Sequence, residues 1–139
     1  MQEIEFTLSP NSEDLNFLTK QINNETIGDI RYSAYPFAFF IKNDLNETIA
    51  GCNGSVIFGA IYTDQLWVHL KYRKMGLGKR LMQKVHDYGR SVGCTMSTVA
   101  TMSFQKAKEF YEHLGYICDF ERNGYANNAN CIFLKKLLY

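Results

Sequence analysis

The chain has 139 residues, 15 Lys plus Arg against 14 Asp plus Glu, and a net charge of +1. That length predicts one domain over residues 1–139, with enough chain to bury a core of its own. The near-zero charge excludes a global field that would recruit nucleic acid or an anionic membrane, and no apolar run is long enough to span a bilayer.

In chain order, residues 3–9 alternate well enough to predict a first strand. Pro10-Asn11-Ser12 gives a turn and a cap, and Leu15, Leu18 and Ile22 recur at helical spacing. A helix with one buried side is therefore expected from Ser12 to about Asn23. Residues 23–28 are polar and read as a break. Residues 32–41 are dense in aromatics and end as a strand. A turn over residues 43–46 makes a hairpin into residues 48–58. Gly51, Gly54 and Gly59 interrupt this region and suggest bulges or close backbone approach. Residues 60–68 form the next strand.

From Gly78 the period changes. Leu81, Val85, Tyr88 and Val92 form one helical stripe, and Gly93 ends it. Residues 94–101 are a strand rich in Thr, Val and Ser. Ser103 is placed to cap a short helix with the stripe Ala107, Phe110, Tyr111 and Leu114, which Gly115 terminates. Residues 116–121 and 131–137 are the last strands, joined by a polar loop over 123–130. His86 and His113 fall off the apolar stripes and are expected to face solvent. Cys52, Cys94, Cys118 and Cys131 form no Cys-x-x-Cys pair and have no histidine at ligand spacing, so no metal site is expected. The acidic start, Met1 to Glu5, lacks a secretory leader's pattern, and a cytoplasmic protein is expected.

The chemistry concentrates in Arg73-Lys74-Met75-Gly76-Leu77-Gly78-Lys79-Arg80, between a strand and an amphipathic helix. Amides near a helix N-terminus have no intrahelical acceptor, and the helix dipole puts partial positive charge there. Glycine allows close approach, and Arg73, Lys74, Lys79 and Arg80 add full charges. A phosphate-bearing ligand held by the N–H groups of residues 73–79 is the natural reading. The ATPase loop does not fit, because Arg73 stands at its early glycine and Arg80 follows Gly78-Lys79. The dinucleotide fingerprint does not fit either, because Leu81 replaces its third glycine.

Leu66-Trp67-Val68, then Arg73-x-x-Gly76-x-Gly78 opening a helix, resembles the acyl-CoA-binding motif of the GNAT superfamily of N-acyltransferases. Downstream, Gly93-Cys94 before a strand and the block from Phe104 to Gly115, with Phe110-Tyr111-x-x-Leu114-Gly115, resemble the family's later helix and strand. The likeness runs from about residue 61 to 138. It implies an α+β fold whose central sheet is mixed, mostly antiparallel, splayed near its middle and flanked by helices. The acyl arm would enter between the strands at 61–68 and 94–101.

The same resemblance implies acetyl-CoA as cosubstrate, with no metal, and transfer of an acetyl group to a primary amine of a small molecule or protein by direct attack in a ternary complex. Arg73, Lys74, Met75, Gly76, Leu77, Gly78 and Lys79 would hold the pyrophosphate. Trp67 and Val68 would pair with the pantetheine amides, and the Val68 N–H would polarise the thioester. Tyr111 would be the general acid, its hydroxyl facing the sulfur. Phe104 and Ala107 would sit beside the far half of the cofactor. No base is singled out between Asp64, His69 and a water relay. The acceptor site is expected among residues 24–40, the glycine-interrupted strand and the loop 123–130. Tyr32, Tyr35, Phe37 and Phe39 are there as pocket, core or dimer contact. The alternative reading is a catalytically silent acyl-CoA-binding module, and the analogy also admits a homodimer.

Overall fold

Turn chemistry in the first half of the chain builds a meander. In the computed structural model, which describes residues 1–25 and 33–139, β1 (Ala34–Lys42), β2 (Thr48–Ile57) and β3 (Ala60–Val68) pair antiparallel in sequence order. The Asn43 side-chain oxygen accepts from the N–H groups of Leu45 and Glu47 and fixes the first turn. Phe58 and Gly59, both at positive φ, make the tight turn between β2 and β3.

The helix α2 (Leu77–Ser91) then crosses over to β4 (Met96–Met102), which lies parallel to β3. The short α3 (Lys108–His113) leads to β5 (Ile117–Arg122) and β6 (Cys131–Leu137), giving the sheet order β1-β2-β3-β4-β6-β5. Among the described residues only the β3–β4 pairing is parallel. The sheet is thus mixed, mostly antiparallel and flanked by helices, as the fold class predicted.

The core lies between α2 and the middle of the sheet. Leu81, Met82 and Val85 of α2 are buried with Ile61, Val99 and Leu134. Each such side chain contributes about 1.5–3 kcal/mol by leaving water. Gly89 sets how close the helix comes: a Cβ there would lie 2.9 Å from Ile61 Cγ2 and 3.1 Å from Leu138 Cδ1. Gly93, at φ 86°, ends the helix as expected. The stripe's later members, Tyr88 and Val92, are half-buried, and the Tyr88 ring meets those of Phe37 and Phe39.

Four expectations are corrected. Residues 3–9 form no strand and are fully exposed, because a strand needs a ladder partner and this segment lies along none. The first helix is present as α1 (Ser12–Glu25), but it has no buried residue; Leu15, Leu18 and Ile22 are all exposed. Ser103 does not cap α3. A 3-10 turn, Ser103–Gln105, intervenes, Ala107 is the cap residue, and the Ser103 hydroxyl accepts from the Asn130 N–H at 2.9 Å. Of the α3 stripe only Tyr111 is fully buried. The expected break over residues 23–28 and the aromatic Tyr32 fall largely outside the described residues.

His86 is the fourth correction. It is buried, whereas His113 is exposed as expected. The His86 Nε2 lies 2.7 Å from the Tyr116 hydroxyl, which lies 2.7 Å from the Ser97 hydroxyl. In either direction of donation one donor meets one acceptor, so all three buried groups are satisfied. The helical stripe could not show this, because the partners come from β4 and from the turn before β5.

Burial pushes the His86 pKa down from 6.5 to about 4, reinforced by the cations of Lys136 and Arg90 and opposed by Asp87. The unfolded chain therefore binds the proton that the folded chain refuses between those two values. Stability is full above about pH 6.5 and is lost as pH falls toward 4, by on the order of 3 kcal/mol. Urea denaturation across that window should show the loss, and His86→Gln should flatten it.

Candidate functional site

The site begins where two strands part. β3 and β4 pair from Ala60↔Met96 to Thr63↔Val99 and no further, while β4 stays paired with β6 to Met102↔Cys131. Directly beyond Thr63, β3 bulges: Gly54 faces Thr63 and Asn53 faces Gln65, so Asp64 has no opposite residue on β2. The bulge bends β3 and re-aims its last residues. Gly54 makes it feasible, since a Cβ there would collide with the Tyr62 carbonyl.

The register decides which backbone groups face the gap. The His69 N–H donates to the Ile49 carbonyl at 2.7 Å, which makes the neighbouring pair Ala50↔Val68 a non-hydrogen-bonded rung. The amides of Leu66 and Val68 therefore point away from β2, toward the gap. Those of Trp67, one residue out of phase, point to β2. Sequence reasoning expected Trp67 and Val68 to offer backbone groups here; the pleat assigns that position to Leu66 and Val68.

Beyond β3 the chain is wound tightly back. His69 caps a 3-10 turn, Leu70–Tyr72, with its Nδ1 accepting from the Lys71 N–H. The Arg73 Nε donates to the Val68 carbonyl at 3.0 Å. Arg73 is thus partly a strut that closes the loop. Lys74 at φ 64° and Gly76 at φ 80° complete the turn into α2.

Gly76 caps α2 with no side-chain hydrogen bond, and its carbonyl accepts from the Arg80 N–H. The N–H groups of Gly76, Leu77, Gly78 and Lys79 have no acceptor among the described residues. They concentrate the positive end of a 15-residue helix. Arg73, Lys74, Lys79 and Arg80 form no ion pair among the described residues. Gly78 is held close to α3: a Cβ there would lie 3.2 Å from Phe110 Cζ.

A cavity of about 570 Å³ joins the gap to this helix end. Of the expected residues, Trp67, Val68, Arg73, Lys74, Gly76, Leu77, Gly78, Lys79 and Ala107 line it. Met75 and Phe104 do not; both project into solvent, 64% and 67% exposed. Leu66, Tyr72, Gln105, Lys106 and Phe110 line it and were missed. Phe110 stood on the α3 stripe and Leu66 in the Leu66-Trp67-Val68 run, so both carried a signal. Gln105 carried none: its Oε1 accepts from the Met102 N–H at 2.8 Å and the Thr101 hydroxyl at 3.1 Å, a turn visible only in three dimensions.

Tyr111 does not line this cavity. It is buried next to Phe110, with its ring 5.4 Å from that of Tyr116 and no hydrogen bond from its hydroxyl among the described residues. Burial, with Cys52 and Tyr62 nearby, pushes its pKa up to about 12, so it is fully protonated at neutral pH. At the fork, the Thr63 hydroxyl is buried without a partner among the described residues. Asp64 is exposed and accepts from the Tyr62 hydroxyl at 3.3 Å. Tyr35 and Phe39 are half-buried and Phe37 is in the core. No group of His, Cys, Asp and Glu among the described residues could hold a metal ion.

The chain belongs to the acetyltransferase (GNAT) family, whose sequence profile matches residues 5–116. It is 35% identical over 81 residues to the blasticidin-S acetyltransferase of Streptomyces morookaense, an alignment covering 58% of this chain and 59% of that protein. Its fold matches that of an acetyltransferase from Bacillus cereus, with TM-score 0.75 and 24% identity over 99% of this chain and 98% of the other. It also resembles an aminoglycoside 6'-N-acetyltransferase complexed with coenzyme A, with TM-score 0.66 and 18% identity over 75% and 73% of the two chains.

The orphaned Thr63 hydroxyl gives a direct test of the fork. Thr63→Val removes a buried polar group and keeps the shape. Stability in urea should be unchanged or raised by up to about 1 kcal/mol. A loss larger than that would mean the hydroxyl is satisfied in solution.

Proposed function

We propose that this protein is an acetyl-CoA-dependent N-acetyltransferase that acetylates a primary amine of a small molecule or protein within a ternary complex. The observation that carries the proposal is the cavity that runs from four unpaired amides at the head of α2 to the gap between β3 and β4. A diphosphate fits the first end and an extended amide-bearing chain fits the second.

The amides of residues 76–79 hold the diphosphate, each charge-assisted hydrogen bond contributing about 1.5–3 kcal/mol. Lys74 and Lys79 add charge, while Arg73 holds the loop closed from the Val68 carbonyl. The backbone of Leu66 and Val68 pairs with the pantetheine amides as a missing strand would. In this reading the Val68 N–H donates to the thioester oxygen and stabilises the negative charge that develops there. The neutral amine attacks the carbonyl carbon, the carbon–sulfur bond breaks, the amine loses a proton and the sulfur gains one. Tyr111 supplies the proton to the sulfur; as a protonated phenol it has that proton to give. This role requires its hydroxyl at the inner end of the cavity, one residue beyond Phe110. The base stays unassigned between Asp64, His69 and water. The acceptor pocket, drawn from residues 24–40, the glycine-interrupted strand β2 and the loop 123–130, is likewise unassigned.

Calorimetry with acetyl-CoA followed by a free-thiol assay against a panel of amines tests the proposal. Binding with thiol release supports the enzyme. Binding with no turnover on any amine supports the silent binding module instead. Gly76→Asp or Gly78→Asp puts a carboxylate among the amides. Acetyl-CoA affinity should fall at least about 100-fold, the loss of two such hydrogen bonds, with the fold retained by circular dichroism but melting lowered by the positive φ at Gly76 or the close Phe110 ring at Gly78. Normal affinity in either variant would seat the diphosphate elsewhere. Tyr111→Phe should lower kcat by about 10–1,000-fold with little change in acetyl-CoA affinity. Unchanged turnover would remove Tyr111 from the mechanism.

A further inference from the structure

We propose that the cavity between α2 and the end of α3 is a second binding site, for a small phosphate-bearing anion other than the cosubstrate. It has a volume of about 480 Å³. Lys79, His86, Asp87 and Arg90 of α2 line it, together with His113 at the end of α3 and Lys136 of β6. Three full cations thus face one carboxylate. Lys79 also borders the cavity at the head of α2, but Arg90 stands about 16 Å further along the helix. The two cavities are neighbours on one helix, and their far ends are well apart.

The cations at the far end are seated by the backbone. The Arg90 Nε donates to the Leu138 carbonyl at 3.2 Å, and its contact with Asp87 is long, at 3.5 Å. The Lys136 Nζ donates to the Leu114 carbonyl at 2.7 Å. Gly115 makes room for it, since a Cβ there would lie 2.5 Å from that nitrogen. Lys136 is half-buried and has no acidic partner among the described residues. Its ammonium keeps two further N–H groups to donate. A cation withdrawn from water in this way costs free energy that an anion offsets.

His86 is the independent observation. Its side chain is 6% exposed and borders this cavity. Its Nε2 is taken by the Tyr116 hydroxyl. Its Nδ1 has no partner among the described residues and is not sealed from solvent, so the cavity is where that atom meets a ligand. One water would satisfy Nδ1 but would leave the cations unanswered, and the cavity is far larger than a water's share of about 30 Å³. Donors reach it from α2, from β6 and from the imidazole. A tetrahedral oxyanion, with several acceptor oxygens, answers donors from three sides better than a flat carboxylate does. The anion also sets a direction. Nδ1–H donates to it, Nε2 accepts from the Tyr116 hydroxyl, and that hydroxyl accepts from Ser97. Lys136, Arg90 and Lys79 face His86 as cations, Asp87 as an anion, His113 from α3 and Tyr116 from the turn before β5.

Inorganic phosphate alone is the probe, titrated into the full chain and followed by nitrogen NMR of the histidine rings, with sodium chloride of equal ionic strength as control. Phosphate should fix His86 in the Nδ1–H tautomer and raise its pKa from about 4 by at least about one pH unit. Arg90→Gln and Lys136→Gln should each weaken the phosphate affinity read at His86 by at least about 10-fold, the loss of one charge-assisted hydrogen bond. Asp87→Asn should tighten it about 3-fold, and this exposed change keeps the test decisive if the Lys136 variant fails to fold. Gly76→Asp blocks the head of α2, so a response that persists in it comes from the flank and is independent of the proposed acetyl-CoA site. No response beyond the chloride control, or an affinity indifferent to all three flank substitutions, would overturn the proposal. Loss of the response in Gly76→Asp, or its competitive removal by acetyl-CoA, would assign the anion to the cosubstrate's own phosphates and overturn it equally.

Discussion

The parting of β3 from β4 beyond Thr63 and Val99 is the constraint on which the rest of the structure depends. Two parallel strands that stay paired leave no free backbone between them. By bulging at Asp64, β3 turns the amides of Leu66 and Val68 outward, and β4 keeps its own ladder with β6. Backbone groups exposed in this way cost free energy unless something meets them. The unpartnered Thr63 hydroxyl at the fork belongs to the same opening. The gap therefore leaves these groups of β3 without a neighbouring strand among the described residues.

The second feature is the use of backbone rather than side-chain charge at the other end of the cavity. The Arg73 guanidinium is partly committed to the Val68 carbonyl, and Met75 points into solvent. Four amides of the first turn of α2 remain open. Amides at a helix start are held rigidly by the helix itself and lose no rotamer freedom when a ligand arrives. The surrounding lysines are flexible, exposed and screened by salt. If the proposed function holds, binding strength resides in the turn, with the lysines contributing mainly to attraction at a distance.

The closeness of α2 to the sheet links this loop to the core. Gly89 lets the helix settle against Ile61, and Gly78, near its start, lets its first turn meet Phe110 of α3. The His86–Tyr116–Ser97 run ties α2 to β4 and to the start of β5 through buried polar groups. The helix that carries the amides is therefore fixed at both ends of its length. Residues 1–18 stand in contrast: all of them are exposed.

Local chemistry makes much of this legible in the sequence. The turn at Asn43, the strand at 60–68, the stripe of α2, its glycine stop and the basic glycine loop are all set by spacing and side-chain type. The family is legible too, because the loop and the Phe110-Tyr111-x-x-Leu114-Gly115 block are contiguous motifs. Position across the sheet was decided only by the tertiary structure. His86 faces solvent on a helical wheel but meets Tyr116 in space. Trp67 and Leu66 are neighbours in sequence, and only the register with β2 says which amide faces the gap. Residues 3–9 have a strand's alternation but no ladder partner among the described residues. Periodicity specifies which side chains share a face; it does not specify what that face meets, because pairing partners come from distant parts of the chain.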